Sequence, residues 1–325
     1  MVDIQAGKKD SIVIIGIGNI GSRHLESLLK SSKSKVFVFD SSKKQINKMK
    51  KKYKNKLYYL KNLEDIKEEI SLVIISTNAD IRHKILYKVL ERMNVKNVLL
   101  EKIVFQKLSY FQKFKKIIKK KKVNVFVNCP RRLLKIFEII KFDYNFKKGK
   151  IYLNFNGSNW GLCSNTLHFI DIWFFLVSGN ITNIKFNSNL DSKIFKSKRK
   201  NFFELKGKIN FLSQEGHMLN VEDDISYKDY TMKIYFGNIS YFLLFKNNRC
   251  YLKKTVNNNL EYKKYFNIPY QSSLTSIFFN MLKNKNYEKF TSFNESYLHH
   301  KIFFNSISKY FGKNYDMYKK IFPIT

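Results

Sequence analysis

Arginine is scarce in this chain. Only seven of its 61 basic residues are arginine, although the formal net charge is +36. Attraction to phosphates is the usual outlet for so much positive charge, and arginine is the side chain that forks onto phosphates and reads guanine edges. Lysine, asparagine, isoleucine, phenylalanine and tyrosine are plentiful instead, the skew that AT-rich coding imposes on any protein. No helix-turn-helix, ribonucleoprotein signature or aromatic-basic stacking face is legible, and the lysines are scattered through both halves. No nucleic-acid partner is expected; the charge is a coat that at most concentrates an anionic ligand.

Cysteine, proline and glycine are sparse too. Cys129, Cys163 and Cys250 form no CxxC pair and are odd in number, which excludes a disulfide framework and a zinc ribbon. With 3 prolines and 12 glycines against 44% hydrophobic and 16% aromatic residues, disorder is excluded, and 325 residues suggest two domains. The most apolar long segment, Leu167–Val177, contains His168 and Asp171 and is too short to span a bilayer. The segment MVDIQAGKKD has no apolar core of a signal peptide, so a cytoplasmic protein without membrane attachment is expected. His217, His299 and His300 lack partners at metal-ligand spacing, and no metal is expected.

What is present is an alternation of short apolar runs and amphipathic stretches. Ile12–Ile15 is continuously apolar, as a strand covered on both faces must be. Ile20, Leu25, Leu28 and Leu29 follow at helical spacing. Val36–Phe39, Leu57–Tyr59, Leu72–Ile75, Val98–Leu100 and Val123–Val127 continue the strand series. A helix is expected between each pair, including one capped by Asn62 with Glu64 and Asp65 in its first turn. Repeated units of this length predict a doubly wound parallel sheet over residues 1–128, with ligands at the carboxyl ends of its strands. After Gly149 the rhythm changes. Ile151–Phe155, Ile181–Phe186, Lys206–Leu212, Tyr230–Phe236 and Ile239–Phe245 read as strands, Leu167–Val177 as a buried helix, and Tyr270 to Tyr310 as helical. Residues 129–325 are therefore expected to form an α+β domain with a large, mostly antiparallel open sheet, its last helices packing back on the first domain.

The strongest motif is Gly16-Ile17-Gly18-Asn19-Ile20-Gly21, which follows a strand, opens a helix and precedes a second strand ending in Asp40, nineteen residues on. Gly16 permits the tight turn, Gly18 lets the backbone approach a pyrophosphate, and Gly21 lets the helix pack close to the sheet. Asp40 would accept hydrogen bonds from the adenosine ribose. That favours NAD, since a carboxylate repels a 2′-phosphate; Lys43 and Lys44 soften the preference and leave NADP open.

The string Gly16-x-Gly-x-x-Gly-x-Arg23-His24 resembles the start of the glucose–fructose oxidoreductase, inositol dehydrogenase and rhizopine catabolism family, Gfo/Idh/MocA. Leu72-Val-Ile-Ile-Ser76-Thr77-Asn78 followed by His83 resembles the strand and loop that pass beneath the nicotinamide. Val98-Leu-Leu-Glu101-Lys102 is similar to the family's Glu-Lys-Pro signature, with Ile103 in place of the proline. Gly161-Leu162 to His168 and Asp171 resembles its glycine-containing segment ending in Asp-x-x-x-His. Tyr270-Gln271-Ser272 and Phe293-Asn-Glu-Ser296 fit its C-terminal helices.

The resemblance implies an NAD(P)-dependent oxidoreductase that transfers hydride between nicotinamide and a carbinol carbon of a sugar, cyclitol or nucleotide-linked sugar. It implies cofactor contacts at Gly16, Gly18, Asn19, Ile20, Gly21, Asp40, Ser76, Thr77, Asn78, His83 and Glu101. Lys102 would polarise the reacting oxygen and His168 would exchange the proton, with Asp171 either orienting that ring or serving as a structural cap. Arg131, Trp160, Ser164 and Asn165 are the remaining expected substrate contacts, Arg131 having a structural salt bridge as its alternative. Asn128-Cys-Pro-Arg131-Arg132 together with Gly157-Ser-Asn-Trp160-Gly161 resembles members that act in surface-sugar biosynthesis. The family's catalytic aspartate falls at Ser164, which carries no charge. Either the hydroxyl is an uncharged relay or the chemistry differs, which leaves a cofactor-binding sensor or scaffold, and an NAD-dependent lyase or hydrolase, as alternatives. A homo-oligomer through the second-domain sheet is expected.

Overall fold

The computed structural model describes residues 10–179, 181–311 and 321–325. Nearly all of the segment read for a signal peptide lies outside them. Among the described residues, no helix is long and apolar enough to cross a membrane. The chain divides into two units, one formed within Met1–Phe105 with Ser109–Asn128 and Ser272–Glu288, the other from Gln106–Leu108, Cys129–Gln271 and Lys289–Thr325.

In the first unit the strands are β1 (Ser11–Ile15), β2 (Lys35–Phe39), β3 (Tyr58–Tyr59), β4 (Leu72–Ile75), β5 (Asn97–Leu100) and β6 (Asn124–Val127). They lie in the order β6-β5-β4-β1-β2-β3, and their pairings are parallel. Helices α1 (Asn19–Ser31), α2 (Lys43–Tyr53), α3 (Ala79–Arg92) and α4 (Leu108–Lys121) make the crossovers. Every residue of β1, β4 and β5 is buried, because helices cover both faces of a parallel sheet. The order reverses beside β1, so a crevice opens at the carboxyl ends of β1 and β4. One expected helix is absent. The Asn62 segment makes a single 3-10 turn, Leu63–Asp65, closed by the Asn62 N–H donating to Asp65 Oδ2 at 2.9 Å. Ile70 then bridges to Val95, which draws the chain out into an extended path before a helix can propagate. The helix Thr275–Lys283 belongs to this unit and packs on α1.

The second unit begins with α5 (Lys135–Lys147), β7 (Ile151–Gly157), α6 (Leu162–Leu176) and β8 (Lys185–Leu190). A two-stranded ribbon, β9 (Phe195–Lys196) and β10 (Phe203–Glu204), follows. Then come β11 (Gly207–Leu212), β12 (Met218–Asp223), β13 (Tyr230–Phe236), β14 (Ile239–Lys246), β15 (Arg249–Val256) and β16 (Asn259–Asn267). The large sheet has eight strands in the order β16-β15-β14-β13-β7-β12-β11-β8, antiparallel except for the β12–β7 pair. Helix α6 is apolar on nearly all sides, and so it is buried, packed against β12, α5 and the helix Phe293–Ile307. Trp173 and Phe169 of α6 and Phe211 and Phe236 of the sheet are fully buried. Each such side chain contributes about 1.5–3 kcal/mol of burial energy.

Two boundaries differ from the sequence expectation. The strand expected at Ile181–Phe186 lies at Lys185–Leu190, where Ser188 faces inward and donates to Ser306 O at 2.8 Å. Its buried positions are thus Ser188 and Leu190 while Phe186 is exposed, which breaks up the hydrophobic pattern. The helical stretch from Tyr270 to Tyr310 is two helices, because Ser292 caps the second by accepting from the Glu295 N–H at 3.2 Å.

Candidate active site

The glycine turn sits at the carboxyl end of β1. Gly16 has φ +85°, a left-handed conformation that L side chains avoid. A Cβ at Gly21 would lie 1.8 Å from Gly16 O, so the close approach of α1 to the turn requires glycine there. A Cβ at Gly18 would meet nothing within 4 Å, which leaves open space over the N-terminus of α1. This is a cradle of the shape and polarity a pyrophosphate needs. Asp40 at the end of β2 ties the turn down: Oδ2 accepts from the Ile17 N–H at 2.8 Å and Oδ1 from the Ser42 N–H at 2.8 Å. Each carboxylate oxygen keeps a further lone pair for a ribose hydroxyl.

Ser76, beyond β4, donates from Oγ to Gly16 O at 2.6 Å and so couples the two strand ends. Thr77 and Asn78 follow, Asn78 as the residue before α3. His83 stacks on Tyr110 with ring centroids 4.2 Å apart, and burial pushes its imidazole below the ordinary range. Arg82 was not anticipated from sequence. It is buried and donates to Val104 O at 3.2 Å, and also to Ile103 O and Thr77 O. Its guanidinium therefore joins the Ser76–Asn78 loop to the segment after Lys102. The Lys102–Ile103 peptide is cis.

Buried His24 and largely covered Glu101 form a pair at 2.9 Å. His24 Nδ1 lies 2.6 Å from Thr275 Oγ1, whose proton goes to Ser272 O, and Asn128 Nδ2 donates to Glu101 Oε1 at 2.5 Å. Burial pushes the Glu101 carboxyl up, but His24, Asn128 and the Lys102 charge outweigh it and hold it below its ordinary value. Lys102 follows at once, at the end of β5.

In the second unit, Trp160 donates from Nε1 to Glu222 O at 2.9 Å and packs edge-on against Phe155 and Phe169. Asn165 Nδ2 donates to Trp160 O at 2.6 Å, which ties its amide nitrogen to the loop. The Arg131 guanidinium lies 4.5 Å over the Phe169 ring, and burial pulls it down to about 10. The ion pair next to it belongs to Arg132, which binds both oxygens of Asp171 and also Glu295 at 2.6 Å. Asp171 further accepts from Thr291 Oγ1 at 2.6 Å, so its carboxylate serves this cluster. Burial pushes it up to about 6 against the pull of Arg132, still ionised at neutral pH. His168 is buried on α6, one turn after Ser164.

Two carboxylates missed in the sequence hold the loop before α6. Asp223 accepts from the Asn159 N–H at 2.6 Å and the Gly161 N–H at 3.2 Å. Glu204 Oε2 accepts from the Cys163 N–H at 2.7 Å and the Ser164 N–H at 3.3 Å, while Oε1 accepts from Ser164 Oγ. One signal pointed to them. Gly161, at the helix start, offers no capping side chain, so the orphan N–H groups of α6 needed an acceptor from elsewhere.

Residues 11–129 match the model of the Gfo/Idh/MocA oxidoreductase family, described as an NAD-binding Rossmann fold. No curated protein matches the sequence. Solved structures share the fold over 92–93% of this chain. A super-repressor mutant of Gal80p from Saccharomyces cerevisiae is 11% identical, with a TM-score of 0.74 and 93% of this chain and 96% of that one covered. An Agrobacterium radiobacter oxidoreductase in complex with NAD+, L-tartaric acid and magnesium is 12% identical, with a TM-score of 0.70 and 93% and 97% covered. The UDP-N-acetylglucosamine 3-dehydrogenase GnnA of Acidithiobacillus ferrooxidans is 10% identical, with a TM-score of 0.67 and 92% and 97% covered.

Proposed function

We propose that the protein is an NAD(P)-dependent oxidoreductase acting on a CH–OH carbon of a sugar, cyclitol or nucleotide-linked sugar. The observation that carries this reading is the Gly16–Gly21 turn: a left-handed glycine, an open face at Gly18 and a carboxylate at Asp40, all at the carboxyl ends of parallel strands. Gly16, Gly18, Asn19, Ile20 and Gly21 hold the pyrophosphate, Asp40 the ribose, and Ser76, Thr77, Asn78, His83 and Glu101 the nicotinamide side, with NAD preferred. Bound nicotinamide supplies the hydride acceptor. Lys102 hydrogen-bonds the substrate oxygen and polarises it, and His168 takes the hydroxyl proton. Arg131, Trp160, Ser164 and Asn165 orient the substrate.

GnnA, which shares the fold, is a nucleotide-sugar dehydrogenase by name, and this supports the choice of substrate class. Self-association uses the outer face of the second sheet, where Tyr152 of β7 pairs in register with Tyr235 of β13 and both are exposed. The test is turnover of NAD+ and NADP+ against a panel of sugars, cyclitols and nucleotide sugars, followed by nicotinamide absorbance. Turnover lost in Lys102→Ala and in His168→Ala supports the roles; full turnover in both removes them. Tight NADH binding with no turnover across the panel favours a cofactor-binding sensor instead.

A further inference from the structure

We infer that Glu204 is a positioning residue for His168, acting through Ser164. The inference rests on the reading of His168 as the proton-exchanging group. Ser164 and His168 stand four residues apart on α6 and therefore share a face. Side chains on a helix lean back over the preceding turn, which for His168 is the turn that carries Ser164; neither ring nitrogen is hydrogen-bonded to Ser164 before the ring gains a proton. A serine hydroxyl has one proton, and that of Ser164 goes to Glu204 Oε1. What Ser164 presents to the rest of its surroundings is thus the acceptor side of its oxygen, with a negative charge one hydrogen bond behind it. The neutral side chain at position 164 gains the charge it lacks from a strand forty residues on.

The chemistry follows from this arrangement. When the substrate O–H bond breaks, its proton forms an N–H bond on His168, and the electron pair stays on oxygen to become the carbonyl as hydride leaves the carbon. The imidazolium then donates to Ser164 Oγ, and the Glu204 charge stabilises the cation without itself taking a proton. Capping accounts for Oε2, which takes the Cys163 and Ser164 N–H groups. It does not account for Oε1 on the hydroxyl. Glu204 and its sequence neighbour Phe203 are fixed by the β9–β10 ribbon and by the Phe203 N–H donating to Pro323 O at 2.9 Å, so the carboxylate is held from its own backbone.

The test is a histidine NMR titration of the full-length protein in wild type, Glu204→Gln, Ser164→Ala and the double variant, with His168 assigned by its loss in His168→Asn. The other charged or titratable groups around α6, among them Arg131, Arg132, Lys141, Cys163, Asp171, Asp223, Glu295 and His299, are the same in all four proteins. Glu204→Gln is expected to lower the His168 midpoint by about one pH unit. Ser164→Ala should lower it similarly, and the double variant no further than the larger single effect. Glu204→Asp keeps the charge and should titrate closer to wild type than Glu204→Gln does, which guards against a variant that merely folds badly. A midpoint unmoved by Glu204→Gln, fully additive shifts, or a His168 neutral throughout in wild type would each overturn the inference. No substrate is needed. A protein with intact coupling and no turnover therefore separates failure of the hydride-transfer reading from failure of this one.

Discussion

Arg132 grips Asp171 through two near-parallel hydrogen bonds, Nε to Oδ2 at 2.9 Å and Nη2 to Oδ1 at 2.6 Å, and both residues are shut away from solvent. The same guanidinium reaches Glu295, so the turn Pro130–Leu133, helix α6 and the helix Phe293–Ile307 meet at one cation. Charges buried this far are costly unless each is satisfied, and removing one partner strands the others. Asp171→Asn is expected to cost about 3–5 kcal/mol of stability in urea unfolding. If Asp171 instead served chiefly to orient His168, the variant would keep its stability and lose turnover.

The two glycines of the turn should separate in their effects. Gly21→Ala places a Cβ 1.8 Å from Gly16 O, so strand and helix must part, at a cost of about 3 kcal/mol in thermal or urea unfolding. Gly18 has φ −65°, which alanine adopts, and its surroundings are open. Gly18→Ala should therefore leave the melting temperature within about 2 °C of wild type. Its NADH affinity, followed by fluorescence, should fall at least about tenfold, because the methyl group occupies the pyrophosphate approach.

The difference between what was legible in the sequence and what was not runs along this same line. Buried parallel strands such as Ile12–Ile15 and Leu72–Ile75 announce themselves as continuous apolar runs, and a glycine turn is a local property of six residues. Helix α5, with Ile136, Phe137 and Ile140 on its buried face, was hidden by the lysines around it, and β16 by its exposure as an edge strand carrying Lys263 and Lys264. The partners of the site were hidden for another reason. Glu204, Asp223 and Arg82 act on backbone groups far away in sequence or on loop carbonyls, and no spacing rule connects Glu204 with Ser164 or Asp223 with Gly161. Asp171 illustrates the converse. Its i+3 spacing to His168 suggested a local partner, yet the strongest acceptor–donor match was an arginine thirty-nine residues earlier.

Stability should fall in acid through Glu101. Its folded carboxyl lies below the ordinary value because His24, Asn128 and Lys102 favour the anion over the penalty of burial. The stabilising contribution is therefore fully present above the unfolded carboxyl's midpoint, near 4.5, and is lost as pH falls through the lower folded midpoint. Urea midpoints measured from neutral pH down to about pH 3 should decline more steeply in wild type than in Glu101→Gln, which has no proton to gain. Equal slopes would show that the Glu101–His24 contact contributes nothing charge-dependent.

Asp40 has two duties that one substitution set can divide. Its carboxylate satisfies the Ile17 and Ser42 N–H groups, so Asp40→Ala leaves two donors without their acceptor and should cost about 1–3 kcal/mol. The same charge opposes a 2′-phosphate. Removing it beside Lys43 and Lys44 should raise the NADPH-to-NADH affinity ratio by about tenfold or more in fluorescence titrations. Asp40→Asn keeps one acceptor oxygen while losing the charge, and so should show most of the change in ratio with a smaller loss of stability. A ratio that stays fixed in both variants would confine Asp40 to holding the turn, and the choice between the two nicotinamide cofactors would have to be made elsewhere in the crevice.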